Sequence, residues 1–265
     1  MKRLRGRNAI LTGASRGIGV HIARALAREG VNLALAARSA DALEEVREEV
    51  RSLGVSAVCI PTDLADAAQI DALAERAERE LGSVDILVNN AGIEFAAPYG
   101  EYPRESLSTM VSVNLLAPML LTRAVLPGML ARGHGHVVNL SSLAGKVGFP
   151  GQTPYAATKA GLIMFSHSLR AELVDEPVGV SVICPGFVAG DGMYARREID
   201  DDAPMLLKPT TTDEVVAAVI RAIKHDTAER IVNPVPMRPM AVLRELAPGI
   251  APHLHKAIGT TDLVG

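Results

Sequence analysis

Tyr155 and Lys159, four residues apart in Tyr155-Ala156-Ala157-Thr158-Lys159, are the pair best placed to do chemistry. Pro154 precedes them and suits the first turn of a helix, and a spacing of four puts both side chains on one helical face. A phenol titrates near 10 in water, too high for ready proton exchange at neutral pH. A neighbouring ammonium stabilises the phenolate, so Lys159 is expected to lower the pKa of Tyr155. The tyrosine can then give a proton to a carbonyl oxygen as hydride reaches its carbon, or take one from an alcohol. Lys159 can also bind the nicotinamide ribose hydroxyls, which places Tyr155 and Lys159 in the cofactor site as well. Ser142 lies thirteen residues before Tyr155 and can hold the substrate oxygen. Ser141 competes with it but is expected to face away or to stabilise the strand end. Asn114 sits inside an otherwise apolar helical stretch, where a buried amide needs partners. It could hold a water that relays protons from Lys159.

A second group of residues is suited to a dinucleotide. Gly13, Ser15, Arg16, Gly17, Ile18 and Gly19 form a glycine-rich string after an apolar run and before a helical one. Glycines let the backbone approach a pyrophosphate, and the helix start offers unpaired N–H groups. A carboxylate at the end of the second strand would hold a ribose hydroxyl and repel a 2′-phosphate. Arg38 stands there instead, with Arg16 on the same side, and a guanidinium grips phosphate with a forked donor set. NADP(H) is therefore expected over NAD(H). Asp63 and Leu64, past the third strand, are assigned to the adenine, and Asn90, Ala91 and Gly92, past the fourth, to the adenosine.

These residues need a frame. Short apolar runs at Ala9–Leu11, Val31–Ala37, Val55–Ile60, Ile86–Val88, His136–Leu140 and Val180–Cys184 read as strands, with a seventh at Arg230–Asn233. Helical patterns fill the gaps at Ile18–Glu29, Ala40–Leu53, Ala67–Leu81, Arg104–Ala131, Pro154–Val174 and Thr212–His225. Apolar strands alternating with helices imply an α/β fold, a parallel sheet covered on both faces. The 265 residues fit one such domain. The net charge of −3 gives no basic field for nucleic acid or anionic lipid. Cys59 and Cys184 fall in strand-like runs and are expected as buried free thiols, so the cytoplasm is the expected compartment. The basic start, Met1 to Arg7, leads into an apolar stretch broken at once by Gly13 and Arg16, neither a signal peptide nor a membrane span.

In this order and context, Thr12–Gly19, Asn89–Gly92, Asn114, Ser142, Tyr155–Lys159 and Pro185-Gly186 closely resemble the short-chain dehydrogenase/reductase family, over about residues 6–233. The resemblance implies a doubly wound Rossmann fold with a seven-stranded parallel sheet flanked by helices, and a nicotinamide cofactor. It also implies catalytic roles for Asn114, Ser142, Tyr155 and Lys159, and cofactor contacts at Pro185, Gly186 and Val188. Family members often pair through two long helices, here Arg104–Ala131 and Pro154–Val174, so a homodimer is expected, with a homotetramer second. The chain departs from the family pattern at Gly190, where members often carry a Thr that contacts the nicotinamide amide; a backbone group such as Val188 is expected to replace it. The family's Asp-Gly-Gly ending of tetrameric members is also missing.

The expected activity is NADP(H)-dependent interconversion of a carbonyl and an alcohol. Ile93, Phe95, Leu143, Phe149, Phe187 and Met193 follow strand ends on the cofactor side and suggest an apolar substrate pocket, with Glu94 facing solvent. Gly186–Pro209 reads as a substrate loop, with Met205, Leu206 and Leu207 closing over an apolar ligand. Residues 234–265 form a tail with a helix around Met240–Leu246. His134 and His136 could suggest a metal, but the glycines around them suit a tight turn entering a strand, and no metal is expected. His253 and His255 read as surface residues. A silent NADPH-binding sensor and a peripherally membrane-associated lipid or steroid ketone reductase are the rival readings, the latter through the proline-broken Pro234–Ile258.

Overall fold

The structure, a computed structural model, describes residues 1–190 and 208–250 together with His253 and Lys256. Seven parallel strands form one sheet in the order β3-β2-β1-β4-β5-β6-β7. They are β1 (Asn8–Thr12), β2 (Asn32–Ala37), β3 (Ala57–Pro61), β4 (Ile86–Asn89), β5 (Gly135–Leu140), β6 (Val178–Pro185) and β7 (Glu229–Val232). The helices are α1 (Ile18–Arg28), α2 (Ala40–Ser52), α3 (Ala67–Leu81), α4 (Arg104–Val111), α5 (Ala117–Arg132), α6 (Ala144–Val147), α7 (Thr153–Glu172), α8 (Thr212–His225) and α9 (Arg238–Leu246).

The residues of β1, β2 and β4 alternate between two cores, as period-two geometry requires. Ala9, Leu11, Leu33, Leu35, Ile86 and Val88 join the core under α1, α2 and α8. Ile10, Ala34, Ala36 and Leu87 join the opposite core, under α3, α5 and α7. The helices on the sheet contribute apolar stripes, such as Leu43, Val46 and Val50 from α2 and Ile70, Leu73 and Ala77 from α3. Side chains close several helix starts. Ser39 accepts from the Ala42 amide, Asp66 accepts from the Ala68 amide, and Thr211 and Glu214 form a reciprocal capping box.

The reversal of strand order between β1 and β4 opens a crevice at the carboxyl ends of the strands, the place where doubly wound sheets take ligands. Most of the segments singled out from the sequence for cofactor binding follow strands at that end: 13–19 after β1, Arg38 after β2, Asp63 after β3, 90–92 after β4 and Gly186 after β6, while Tyr155 and Lys159 stand on α7.

Three expectations change. The helix expected over Arg104–Ala131 is α4 and α5 joined by a π-helical turn, Ser112–Leu116, in which the Ala117 amide donates to the Ser112 carbonyl. Pro118 gives the reason: it has no N–H to return to the Asn114 carbonyl four residues back, so the ladder shifts register there. The combined helix, Arg104–Arg132, is long and apolar enough to cross a membrane. In this fold it lies on the sheet, with Val113, Ala117, Leu121, Val125 and Met129 in the core. Cys59 is a free thiol but only half-buried, because β3 is an edge strand, whereas Cys184 is fully buried. The helix in the tail starts earlier than expected, at Arg238.

Residues 191–207 of the expected substrate loop, with Met193, Met205, Leu206 and Leu207, lie outside the described residues, as does His255. The flanks of that loop are tied together: Val188 bridges Thr210, the Thr210 amide donates to the Phe187 carbonyl at 2.7 Å, and the Ala189 amide donates to the Thr210 carbonyl at 3.0 Å.

Candidate active site

Tyr155 and Lys159 stand on the first turns of α7, where Thr153 and Pro154 begin the helix, and both are buried, at 3% and 2% exposure. α6 packs closely on α7 because Gly145 is bare: a Cβ there would lie 2.7 Å from the Ala160 amide nitrogen. The packing brings Ser142, just past β5, close enough to the phenol of Tyr155 for its hydroxyl to favour the ionised form of that phenol. The Ser142 Oγ also accepts from the Ala144 amide at 3.1 Å. Its neighbour Ser141 donates to the Lys159 carbonyl at 2.8 Å. The Lys159 Nζ donates to the Leu140 carbonyl at 2.8 Å and lies 5.7 Å from the centroid of the Tyr155 ring.

The electrostatics correct one expectation. Burial raises the Tyr155 pKa above its ordinary 10, the Glu94 carboxylate adds to the rise, and the Ser142 hydrogen bond opposes it. Burial also pushes the Lys159 ammonium down to about 8. The lysine therefore does not lower the tyrosine here. Loss of water drives both groups toward their neutral forms.

Asn114 is fully buried in the π-helical turn. Its Oδ1 accepts from the Ile93 amide at 2.8 Å, and its Nδ2 donates to the Ile93 carbonyl at 2.8 Å and to the Thr158 hydroxyl at 3.2 Å. The amide pins the chain just past β4 beside Lys159: a Cβ on Gly92 would stand 3.3 Å from Lys159 Nζ and 3.5 Å from Asn114 Oδ1.

The glycine turn forms a cradle that a side chain would fill. Gly13 and Gly17 hold φ of 66° and 58°, in the left-handed region. A Cβ on Gly19 would lie 2.0 Å from the Gly13 carbonyl oxygen, and one on Gly13 would lie 2.8 Å from Ala91 Cα. Asn90 Nδ2 donates to the Thr12 and Gly13 carbonyls at 2.9 and 3.2 Å, and the Thr12 hydroxyl accepts from the Asn90 and Ala91 amides at 3.1 and 3.0 Å. No side-chain hydrogen bond from Gly17 caps the start of α1, which opens beside half-buried Ser15 and Ile18. Arg16 and Arg38 are exposed at the rim, with no ion pair to any described residue. Asp63 is half-buried and accepts from the Ala65 amide at 3.0 Å, beside buried Leu64. Pro185 and Gly186 lie against β7, the Gly186 amide donating to the Val232 carbonyl at 2.9 Å, and Val188 is buried. Gly190 has φ 80°, which explains a glycine where a threonine was the alternative. These features fit a dinucleotide: bare glycines where a pyrophosphate must approach, an open helix start, and cations at the rim.

The apolar wall is partly as expected. Ile93, Phe149, Ala144, Tyr102, Met110 and Tyr155 share a cluster, and Phe149 meets Phe187 at a tilt of 55° with centroids 5.6 Å apart. Phe95 is 42% exposed and meets Tyr102 edge-on. Leu143 differs: it is buried against Val147 and Met237, on the side of α9. Glu94 also differs. It is half-buried, and its charge acts on Tyr155 and Tyr102, because the backbone on both sides is tied down, Ile93 by Asn114 and the Phe95 carbonyl by the Tyr102 hydroxyl at 2.7 Å.

The sequence reading missed a buried polar ladder under the site. Asn89 Nδ2 donates to Asn139 Oδ1 at 2.8 Å, and Asn139 Nδ2 donates to Ser166 at 2.9 Å, linking β4, β5 and α7. The signal was present as two asparagines in otherwise apolar strands, since buried amides demand partners. His134 and His136 diverge: His134 pairs with Asp85 at 2.8 Å, and His136 with Ser181 at 2.8 Å.

The family pattern described as short chain dehydrogenase matches residues 7–201. The chain belongs to the short-chain dehydrogenase family. It is accordingly an oxidoreductase that acts on carbonyl and alcohol groups with a nicotinamide cofactor. Among short-chain dehydrogenases, it is similar to the ketoacyl reductase HetN of Nostoc sp. (strain PCC 7120 / SAG 25.82 / UTEX 2576), at 39% identity over 99% of this chain and 92% of the relative. It is also similar to the 3-oxoacyl-acyl-carrier-protein reductase FabG of Staphylococcus aureus (strain Mu50 / ATCC 700699), at 38% identity over 70% of this chain and 76% of that one. The crystal structure of a metagenomic short-chain oxidoreductase in complex with NADP superimposes with a TM-score of 0.76 at 32% identity, covering 89% of this chain and all of the other.

Proposed function

We propose that this short-chain dehydrogenase is an NADP(H)-dependent reductase of apolar ketones, with 3-oxoacyl thioesters the first substrate class to test. The observation that carries the reading is the buried group at the end of β5, in which Ser142 meets the Tyr155 phenol and Lys159 lies under the same ring. When bound, the nicotinamide supplies the hydride. Ser142 and Tyr155 hold the carbonyl oxygen, and Tyr155 gives its proton to that oxygen as the carbon is reduced, so that C=O becomes CH–OH. The charge left on the phenol is met by the Lys159 ammonium on the face of the ring. Asn114 fixes the Gly92–Ile93 backbone against that lysine.

Arg38 and Arg16 support NADP(H), since both stand at the rim where a 2′-phosphate would lie and neither is committed to a described carboxylate. The NADP complex of a related structure supports this choice, and the ketoacyl names of two relatives support the substrate class. The apolar wall of Ile93, Phe149 and Phe187 supports an acyl or other hydrophobic substituent. A homodimer is supported by apolar side chains exposed on the long helices: Val111, Leu116 and Met119 around α4 and α5, and Met164 on α7 at 65% exposure. The free thiols favour a reducing cytoplasm.

The test is steady-state oxidation of NADPH and NADH with 3-oxoacyl thioesters, neutral ketones of increasing length and short keto acids. NADPH and the longer neutral substrates are expected to give the higher kcat/KM. Preference for NADH would overturn the cofactor assignment, and preference for short anions would overturn the pocket assignment. NADPH binding without turnover on any of these carbonyls would favour a silent sensor. Sedimentation of the purified protein checks the dimer.

A further inference from the structure

Thr158 stands between the two residues of the tyrosine–lysine pair and is itself 3% exposed. Its hydroxyl donates to the Tyr155 carbonyl at 2.8 Å, one turn back on α7. With its only hydrogen so committed, the oxygen presents lone pairs alone to the other side. There it accepts from Asn114 Nδ2 at 3.2 Å, across forty-four residues of chain. The second Nδ2 hydrogen goes to the Ile93 carbonyl and Oδ1 receives the Ile93 amide, both at 2.8 Å. An asparagine amide rotated by half a turn would set its NH2 against the Ile93 amide and its oxygen against the Thr158 lone pair. Thr158 and Ile93 together therefore allow one orientation of Asn114.

The consequence reaches the reacting groups. Asn114 Oδ1 and Lys159 Nζ face the same small space above Gly92, within 3.5 and 3.3 Å of where its Cβ would be. The π-helical turn that carries Asn114 has lost the regular ladder at Pro118, so its side-chain amide bears more of the burden of holding that turn to α7. We propose that Thr158 is a positioning residue for proton transfer: by fixing Asn114 to the backbone of Tyr155, it holds the Gly92–Ile93 segment against Lys159. The inference rests on the proposed role of Tyr155 and Lys159.

The test compares Thr158→Val, which keeps the shape and removes the hydroxyl, with Thr158→Ser, which keeps the hydroxyl and removes the methyl. In Thr158→Val, kcat should fall by about tenfold, the effect of one lost hydrogen bond. KM for NADPH should stay within about twofold, and the alkaline limb of the kcat–pH profile should move, because loosening the Gly92–Ile93 segment packed against Lys159 lets water reach a group whose titration is set by burial. Thr158→Ser should restore both. Hydrogen exchange of the free protein gives a readout apart from activity: the Ile93 amide, held by Asn114, should exchange faster in Thr158→Val and not in Thr158→Ser, with the amides of β5 unchanged. An unmoved pH limb together with unchanged Ile93 exchange would overturn the inference, as would equal loss in both variants. Tyr155→Phe run in parallel separates the two ideas. If it is inactive while Thr158→Val behaves as wild type, only the positioning role fails; if it keeps full turnover, the proposed mechanism itself fails.

Discussion

The Lys159 Nζ sits 5.7 Å from the centroid of the Tyr155 ring and is bonded to the Leu140 carbonyl. The ammonium therefore lies against the ring, not in a hydrogen bond to its oxygen, and Ser142 is the side chain that favours the phenolate. Proton donation and charge stabilisation are thus divided between separate side chains, and each can be removed by itself.

Tyr155→Phe removes only the hydroxyl of a ring that packs with Ala144 and Met110. Turnover should fall by roughly 100-fold or more, the loss expected for a positioned general acid. NADPH affinity should hold, because the cradle around Gly13 and Gly19 is untouched. Stopped-flow binding beside steady-state turnover checks both halves.

Lys159, pushed down to about 8 by burial, should govern the alkaline limb of kcat for ketone reduction. The ammonium is present below that value and is lost as pH rises through it, so kcat should fall above about pH 8. The sign for stability is opposite. Between about 8 and the unfolded 10.5 the unfolded chain holds a proton that the folded chain has released, so this residue makes folding more favourable as pH rises. A pH–rate profile and unfolding at pH 8 and 10 should therefore move in opposite directions, once Lys159→Met is used to isolate this group.

Arg38→Asp places a carboxylate where the 2′-phosphate is proposed to lie. Loss of a charge-assisted bond of about 1.5–3 kcal/mol corresponds to a rise of roughly 10- to 100-fold in KM for NADPH. Repulsion adds to that, while NADH keeps or gains kcat/KM through its free ribose hydroxyl. The ratio of the two kcat/KM values is the measurement, and an unchanged ratio would remove Arg38 from the site.

His136 is fully buried on β5, and burial pushes its pKa down to about 4 from 6.5. Between those values the unfolded chain takes up a proton that the folded chain refuses. Stability should therefore be lost as pH falls from 6.5, on the order of 2 kcal/mol from this group by pH 5. Urea unfolding at pH 7 and pH 5 measures the slope, and His136→Gln should flatten it. A slope unchanged by that substitution would assign acid sensitivity to another group.

Much of the frame is local physics and was legible in the residues. Leu43, Val46 and Val50 repeat at helical spacing beside a run of glutamates, and α2 lies within one residue of that pattern. The glycine turn and the Tyr155–Lys159 pair could be read for the same reason, because a turn's φ angles and a four-residue helical spacing are set within a few residues of chain. Composition indicated that both faces of the strands would be buried. What lay beyond the sequence depends on which distant segments meet. Asn114 is joined to Ile93 and Thr158 across the core, Ser142 but not Ser141 reaches the phenol, and Leu143 turns toward α9. Glu94, a solvent residue by composition, has its charge directed at Tyr155 by backbone anchors on both sides. The direction of the Tyr155 shift is the sharpest case. The sequence determined that a lysine would stand one turn away, but only the packing of α6, α7 and β5 decided how much water both groups lose, and that loss drives each toward its neutral form.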